Sequence, residues 1–223
     1  MTQRTLLLAS NSPRRRELLS CFQFPFRVSP VSIDEDPIPG EEPGSYVLRL
    51  AETKGRAAAG DARSGEIVIS ADTTVADGDQ IMGKPANEVE AKAMLVQLRS
   101  RIHQVYTALA VYDPYVDRMK TDLAVSNVQM RDYTDEEIAA YVASRDPFDK
   151  AGGYAIQNEV FRPVEELEGC YSNVVGLPLC HLARLLQAFD LHPEARQDGT
   201  CISDLQYDCP YCRKVLFGEN GSE

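Results

Sequence analysis

The sequence predicts an α/β fold built on a mixed β-sheet flanked by helices. Apolar, strand-like runs alternate with amphipathic helical stretches along the chain. Several of the helical stretches open on recognisable N-caps. Two long strand candidates follow one another with only a turn between them, which requires an antiparallel pair within the sheet.

Taken in order, residues 5–9 read as a short buried strand. Ser12 then N-caps a helix that has Pro13 at its first position. A strand is expected at 24–29, a loop rich in Asp, Glu and Pro at 31–44, and a helix at 45–59 that ends near Gly60. Ile67, Val68 and Ile69 mark a central strand at 66–71, and Asp77-Gly78-Asp79 a hairpin turn. Asn87, with Glu90 three residues on, forms a capping box for a helix whose apolar face is Ala91, Met94, Leu95 and Leu98. The strands at 102–112 and 120–130 pair antiparallel. Thr134 and Glu137 cap a further helix that runs to Ser144. A glycine-containing loop at 149–157, a short strand candidate at 174–177 and an amphipathic helix at 178–189 complete the pattern. Beyond Asp190 the apolar periodicity stops, which divides the chain into a domain at 1–190 and a cysteine-containing tail at 191–223.

Composition narrows the function. Hydrophobic residues make up 43% of the 223-residue chain, enough for a sizeable core. No apolar run approaches the roughly 20 residues that span a bilayer, and Leu6-Leu7-Leu8 is too short for the apolar core of a signal peptide. The expected compartment is the cytoplasm. A net charge of −11 disfavours steering toward nucleic-acid polymers or anionic membranes. A locally basic pocket for a small anion is compatible with it, and Arg14-Arg15-Arg16 stands out in an acidic chain.

Three groups of residues could carry chemistry. A helix N-terminus presents unpaired N–H groups and partial positive charge, so the 9–15 junction can hold phosphate. Ser10 and Ser12 add hydroxyls there, and Arg14 and Arg15 add forked donors. An ordinary capped helix is the equal alternative, although arginine in the first turn opposes the macrodipole. Asp72, placed at the end of the central strand, could hold a divalent cation or accept a proton from water; a turn-capping Asp is the commoner role. Asp34-Glu35-Asp36 offers further oxygen ligands on a loop, where acidic residues are usually just solvated. Lys54 and Lys84 draw interest only from that company. Residues 78–84 mimic a P-loop, but Pro85 stands where Ser or Thr must hold Mg²⁺, so the pattern is rejected.

The cysteines are read as thiols, since Cys21, Cys170 and Cys180 are scattered. Cys201, Cys209 and Cys212, with His192 nearby, form a candidate structural Zn²⁺ site; a reduced tail that binds nothing is the alternative. Cys209-Pro210-Tyr211-Cys212 lacks the βαβ unit that a redox motif needs.

Assembled in order, these segments resemble the Maf family. The matching pieces are residues 8–15 (Leu-Ala-Ser-Asn-Ser-Pro-Arg-Arg), Asp34-Glu35, Lys54, Ala71-Asp72-Thr73, Gly83-Lys84-Pro85, residues 149–157 (Asp-Lys-Ala-Gly-Gly-Tyr-Ala-Ile-Gln) and residues 171–178 (Tyr-Ser-Asn-Val-Val-Gly-Leu-Pro). They span roughly residues 4–190. The resemblance implies an elongated α/β fold like that of inosine-triphosphate pyrophosphatases, often dimeric. It implies hydrolysis of a nucleoside triphosphate, dTTP or UTP or a modified pyrimidine nucleotide, to the monophosphate and pyrophosphate with Mg²⁺ or Mn²⁺, in a house-cleaning role. In such enzymes the residue matching Asp72 accepts the proton. Those matching Ser10, Arg15, Glu35, Lys54 and Lys84 line the phosphate and metal site, with Glu35 and Asp72 as metal ligands. Those matching Arg14, Thr73 and Gln157 bear on base choice. Lys150 and Gln157 look like the dTTP/UTP branch, because a 7-methyl-GTP branch usually carries Cys at the Lys150 position. Gly153, Ala155 and Asn158 depart mildly from the family pattern, and the tail has no counterpart in it. The competing class is a non-catalytic, nucleotide-binding regulator of cell division, which would have no need of Asp72 and Glu35 beside phosphate ligands.

Overall fold

A computed structural model describes residues 4–193. Cys201, Cys209 and Cys212 lie outside the described residues. The sheet runs β2-β1-β3-β5-β6-β7, with β4 paired to β3. Its strands are β1 (Thr5–Leu8), β2 (Phe26–Val28), β3 (Glu66–Asp77), β4 (Gln80–Met82), β5 (Ile102–Asp113), β6 (Arg118–Met130) and β7 (Val164–Glu168). β1 pairs in parallel with β2 and β3, whereas β3, β5, β6 and β7 form an antiparallel succession, so the sheet is mixed. The helices are α1 (Pro13–Ser20), α2 (Pro43–Ala58), α3 (Glu88–Leu98), α4 (Asp135–Ala143), α5 (Tyr171–Val175) and α6 (Leu179–Gln187).

The local signals act as their chemistry dictates. Ser12 Oγ accepts from Arg15 N at the start of α1, and Thr134 and Glu137 close a full capping box on α4. Asn87 caps α3 by accepting from Glu90 N, but the Glu90 carboxylate reaches Ala86 N rather than the cap residue's own amide.

Three sequence expectations change. β3 continues to Asp77, so Asp72 lies within the strand instead of at its end. Antiparallel pairing to β5 carries β3 on through Ala76, while β1 stops beside Ile69. Residues 171–175 form the short helix α5, not a strand, and Gly176 ends it with a left-handed φ of 114°. Cys180 is disulfide-bonded, contrary to its reading as a thiol, because spacing in sequence does not report which sulfurs the fold brings together. β7, a glutamate-rich edge strand, gave no apolar signal.

Alternation along β5 separates two core layers. Ala108 and Ala110 face α2 with Tyr46, Val47 and Leu50. Leu109 and Val111 face the opposite layer with Leu18, Leu19, Leu182, Leu186 and Phe189. A third cluster joins α3 and α4 through Leu95, Leu98, Val128, Tyr133 and Phe161. Among the described residues no helix is long and apolar enough to cross a membrane.

His103 is buried on β5, with Nε2 2.7 Å from the Tyr154 hydroxyl. Burial lowers its pKa to about 4 against the opposing charge of Asp77, so the ring is neutral in the folded protein. The unfolded chain takes up a proton near pH 6.5, which the folded chain refuses until about pH 4. The stability contributed by the neutral ring is therefore complete above pH 6.5 and is lost as pH falls toward 4, by up to about 3 kcal/mol. Chemical denaturation across that window should show His103→Gln losing less stability than wild type on acidification. A constant difference between the two would disprove the assignment.

Candidate active site

Two clusters lie on either side of β3. The period of two along a strand sends Asp72 and Thr73 to opposite faces of the sheet.

On the α2 side, Lys54 is buried and its Nζ lies 2.6 Å from Asp72 Oδ1 and 2.5 Å from Glu35 Oε1. Lys54 sits on the inward face of α2 among Leu50, Ala51 and Ala58, so its ammonium enters the layer with the apolar side chains. A charge there must be paired, and the two carboxylates pair it. Glu35 comes from the acidic loop. That loop is fixed by the Tyr46 hydroxyl, which donates to Glu35 O at 2.8 Å. Asp34 instead closes a local turn by accepting from Asp36 N. Partial burial pushes the Glu35 carboxyl up, but the hydrogen bond and charge of Lys54, with the charges of Lys84 and Arg15, outweigh it and hold the group below the usual carboxylate range. The same interactions show that Lys84 and Arg15 lie within the electrostatic reach of Glu35.

On the other side, Arg15 is held by three protein acceptors. Its Nε donates to Gly176 O at 2.8 Å, Nη2 to Thr73 Oγ1 at 3.0 Å, and Nη1 more weakly to Ser10 Oγ at 3.4 Å. Burial lowers the pKa of this guanidinium, with Asp72 opposing, Arg14 reinforcing and Glu35 opposing. Arg15, Thr73 and Gly176 form one wall of a solvent-open cleft of about 120 Å³. Its other walls include Lys84, Tyr154, Gln157 and the apolar Val75 and Val105. Charged groups at one part and aliphatic side chains at another suit a ligand with an ionic end and a flat apolar body.

Arg14 also lines the cleft, but it is committed to Asp149, with Nη1 3.0 Å from Oδ2. The Lys150 ammonium donates to Asp146 O, Asp146 Oδ1 and Asp149 Oδ1, which uses all three of its N–H groups. Lys150 therefore staples the 146–157 loop and has no donor left for a ligand. Gln157 and Lys84 are both exposed at the cleft.

The structure thus gathers Ser10, Arg15 and Thr73 in one group and Glu35, Lys54 and Asp72 in a second, with Arg14, Lys84 and Gln157 around the cleft. Sequence reasoning missed Tyr46, Thr107, Asn173 and the backbone carbonyl of Gly176. Thr107 had one signal, a hydroxyl inside an otherwise apolar stretch, but only the strand register shows that it faces Thr73.

The profile of the family described as Maf-like protein matches residues 5–189. The chain belongs to the Maf family. A Maf relative from Geobacter sp. (strain M21), named dTTP/UTP pyrophosphatase, is 46% identical over 187 residues, 84% of this chain and 96% of its own. The protein of that name from Pasteurella multocida (strain Pm70) is 42% identical over 85% of this chain and 98% of its own. The one from Dehalococcoides mccartyi is 38% identical over 215 residues, 96% of this chain and 94% of its own, a match that necessarily runs past residue 193. The Staphylococcus aureus Ham1 protein superposes with a TM-score of 0.40 at 13% identity over 58% of this chain and 73% of that one, too distant to add to the assignment.

Gly176 ends α5 in this Maf chain, and its carbonyl accepts from Arg15. A Cβ there would meet Thr73 Oγ1 at 3.3 Å and Arg15 Nε at 3.5 Å, on a φ that side chains rarely adopt. Gly176→Ala should cost about 1–3 kcal/mol of stability. It should also weaken binding of inorganic pyrophosphate by displacing Arg15. Thermal unfolding and calorimetric titration would measure the two effects, and an unchanged Tm would refute the strain.

Proposed function

We propose that this chain hydrolyses nucleoside triphosphates, dTTP and UTP foremost, between the α- and β-phosphorus to give the monophosphate and pyrophosphate. The carrying observation is the pair of clusters across β3, an acid–lysine centre on one face and an arginine-walled cleft on the other. Family membership and the names of the relatives support the same reaction.

The cleft receives the nucleoside, with its base against Val75 and Val105 and Gln157 at the rim, where its side-chain N–H can donate to a base carbonyl. Arg15, Lys84, Ser10 and the N-terminal amides of α1 hold phosphate oxygens. Lys54 bridges the phosphate region and the carboxylates. Asp72 accepts a proton from the water whose oxygen attacks the α-phosphorus, while the Pα–O bond to the β-phosphate breaks and pyrophosphate departs.

The donor set fits a divalent cation. Glu35 and Asp72 already converge on one positive charge, the Lys54 ammonium. Among the described residues no cluster of three or more His, Cys, Asp or Glu side chains can hold a metal alone, so substrate phosphate would complete the coordination. That suits Mg²⁺, which commonly takes one or two carboxylates together with phosphates. Three cations, Arg15, Lys54 and Lys84, face two carboxylates, which leaves too little positive charge for a triphosphate. When bound, the cation offsets phosphate charge and acidifies a coordinated water.

Purified protein should convert dTTP and UTP to monophosphate and pyrophosphate with Mg²⁺ or Mn²⁺ and stop on chelation by EDTA. Asp72→Asn should lower kcat by about 10²- to 10⁴-fold with the fold intact. Product separation by ion-exchange chromatography reads all three results. Diphosphate with inorganic phosphate as products would refute the bond assignment, and undiminished turnover in Asp72→Asn would refute the base.

A further inference from the structure

Thr73 and Thr107 are direct cross-strand partners on β3 and β5, with their hydroxyl oxygens 2.9 Å apart. Geometry alone leaves the direction of that hydrogen bond open, but its neighbours fix it. The Arg15 guanidinium can only donate, so Thr73 Oγ1 accepts from Nη2. The Asn173 carbonyl can only accept, so the fully buried Thr107 gives it its single proton at 2.9 Å. Thr107 then has no proton left for Thr73. The Thr73 hydroxyl must donate to Thr107, and the relay runs one way, from Arg15 through Thr73 and Thr107 to the Asn173 carbonyl.

The far end of the relay is rigid. Asn173 is fully buried on α5, and its side-chain amide donates to Val105 O at 3.1 Å and Ser126 Oγ at 2.8 Å. These contacts tie α5 to β5 and β6, and the same helix ends at Gly176, whose carbonyl holds Arg15.

We propose that Thr107 is a positioning residue for substrate choice: it takes the Thr73 proton and leaves Thr73 able only to accept a hydrogen bond from the ligand in the cleft. Thr73 then discriminates by hydrogen-bond polarity. A ligand N–H meets a lone pair and is bound, while a carbonyl, a phosphate oxygen or an unprotonated ring nitrogen meets repulsion. Thymine and uracil carry such a donor at N3–H, where cytosine has a lone pair. This inference rests on the nucleotide reading above and adds the sense in which Thr73 reads the base.

The test compares Thr107→Val, which is nearly isosteric but removes the acceptor, with Thr107→Ser, which keeps it. In Thr107→Val the Thr73 proton is released toward the cleft, so the kcat/KM ratio of dTTP to dCTP should fall at least tenfold. Thr107→Ser should restore it, and Thr73→Val/Thr107→Val should match Thr73→Val. Equal losses on both nucleotides in Thr107→Val would overturn the proposal, since a merely structural role lowers both together. If Thr107→Val does not fold, the wild-type enzyme decides: N3-methyl-dTTP should be at least a hundredfold poorer than dTTP, and parity within twofold would overturn the proposal. A wild type that turns over no pyrimidine triphosphate would overturn the functional reading instead. Calorimetric binding of dTMP against dCMP to wild type and Thr107→Val then tests the same polarity without turnover.

Discussion

The site depends on one constraint, the period of two along β3 where β1 no longer covers it. β1 pairs with β3 only as far as Ile69, while β5 continues beside β3 through Ala76. Beyond Ile69, β3 keeps its hydrogen-bonded rigidity on one edge and loses its parallel neighbour on the other. Asp72 and Thr73 occupy this half-covered stretch. Adjacent in sequence, they project to opposite faces and join different chemistries, one with Lys54 and Glu35, the other with Arg15 and the cleft. A slip of one residue in the β3–β5 register would exchange the two faces. The long antiparallel ladder between two buried strands makes such a slip costly.

Electrostatics follows from that placement. The chain is acidic overall, yet not every cation near the cleft is available to an anion. Asp149 holds Arg14, and Asp146 and Asp149 together saturate Lys150. Burial favours this pairing, since an unpaired ammonium or guanidinium would lose hydration without compensation. Lys84 and Arg15 remain directed at the ligand region, and Lys54 is shared with its two carboxylates. The positive field that a triphosphate would meet is therefore local, set by three side chains from α1, α2 and the segment after β4. Net charge conceals it.

Much of the architecture was legible because the helices carry their own stop and start chemistry. Ser12 with Pro13, Asn87 and Thr134 with Glu137 are local signals, and each acts locally in the structure. The candidate site residues were singled out by a different route, through ordered motifs resembling a family; taken singly, Lys54 or Asp72 would have passed for a surface lysine and a turn residue. What escaped was non-local. The length of β3 depends on its pairing with β5, which local apolar runs do not reveal. Residues 174–177 read as a short strand, yet Asn173 anchors residues 171–175 as a helix through bonds to β5 and β6. Thr107 gains meaning only opposite Thr73. Tyr46 looks like a core aromatic until its hydroxyl is found fixing the Glu35 loop.

The division of labour between rigid and loop elements has a chemical consequence. Asp72 and Thr73 sit on a central strand, and Arg15 and Lys54 sit on helices packed against the sheet. Their mutual distances are set by the core. Glu35, Lys84 and Gln157 come from connecting segments, and the segment carrying Gln157 is held by side-chain staples: Lys150 to Asp146 and Asp149, and Tyr141 and Asn158 to Asp146. Phosphate chemistry tolerates little displacement of the reacting groups, which favours placing them on rigid elements. Reading a base needs a surface that can differ between relatives without moving those groups. The stapled 146–157 loop meets that need, because its anchoring charges are internal to it and to Arg14. In the proposed function, substitutions that reshape the Gln157 rim would therefore alter which base is held while Lys54, Asp72 and Glu35 stay in place. Thr73 is the exception: it lines the cleft and accepts from Arg15, so in the proposed function it would link base recognition to phosphate binding through a single hydroxyl.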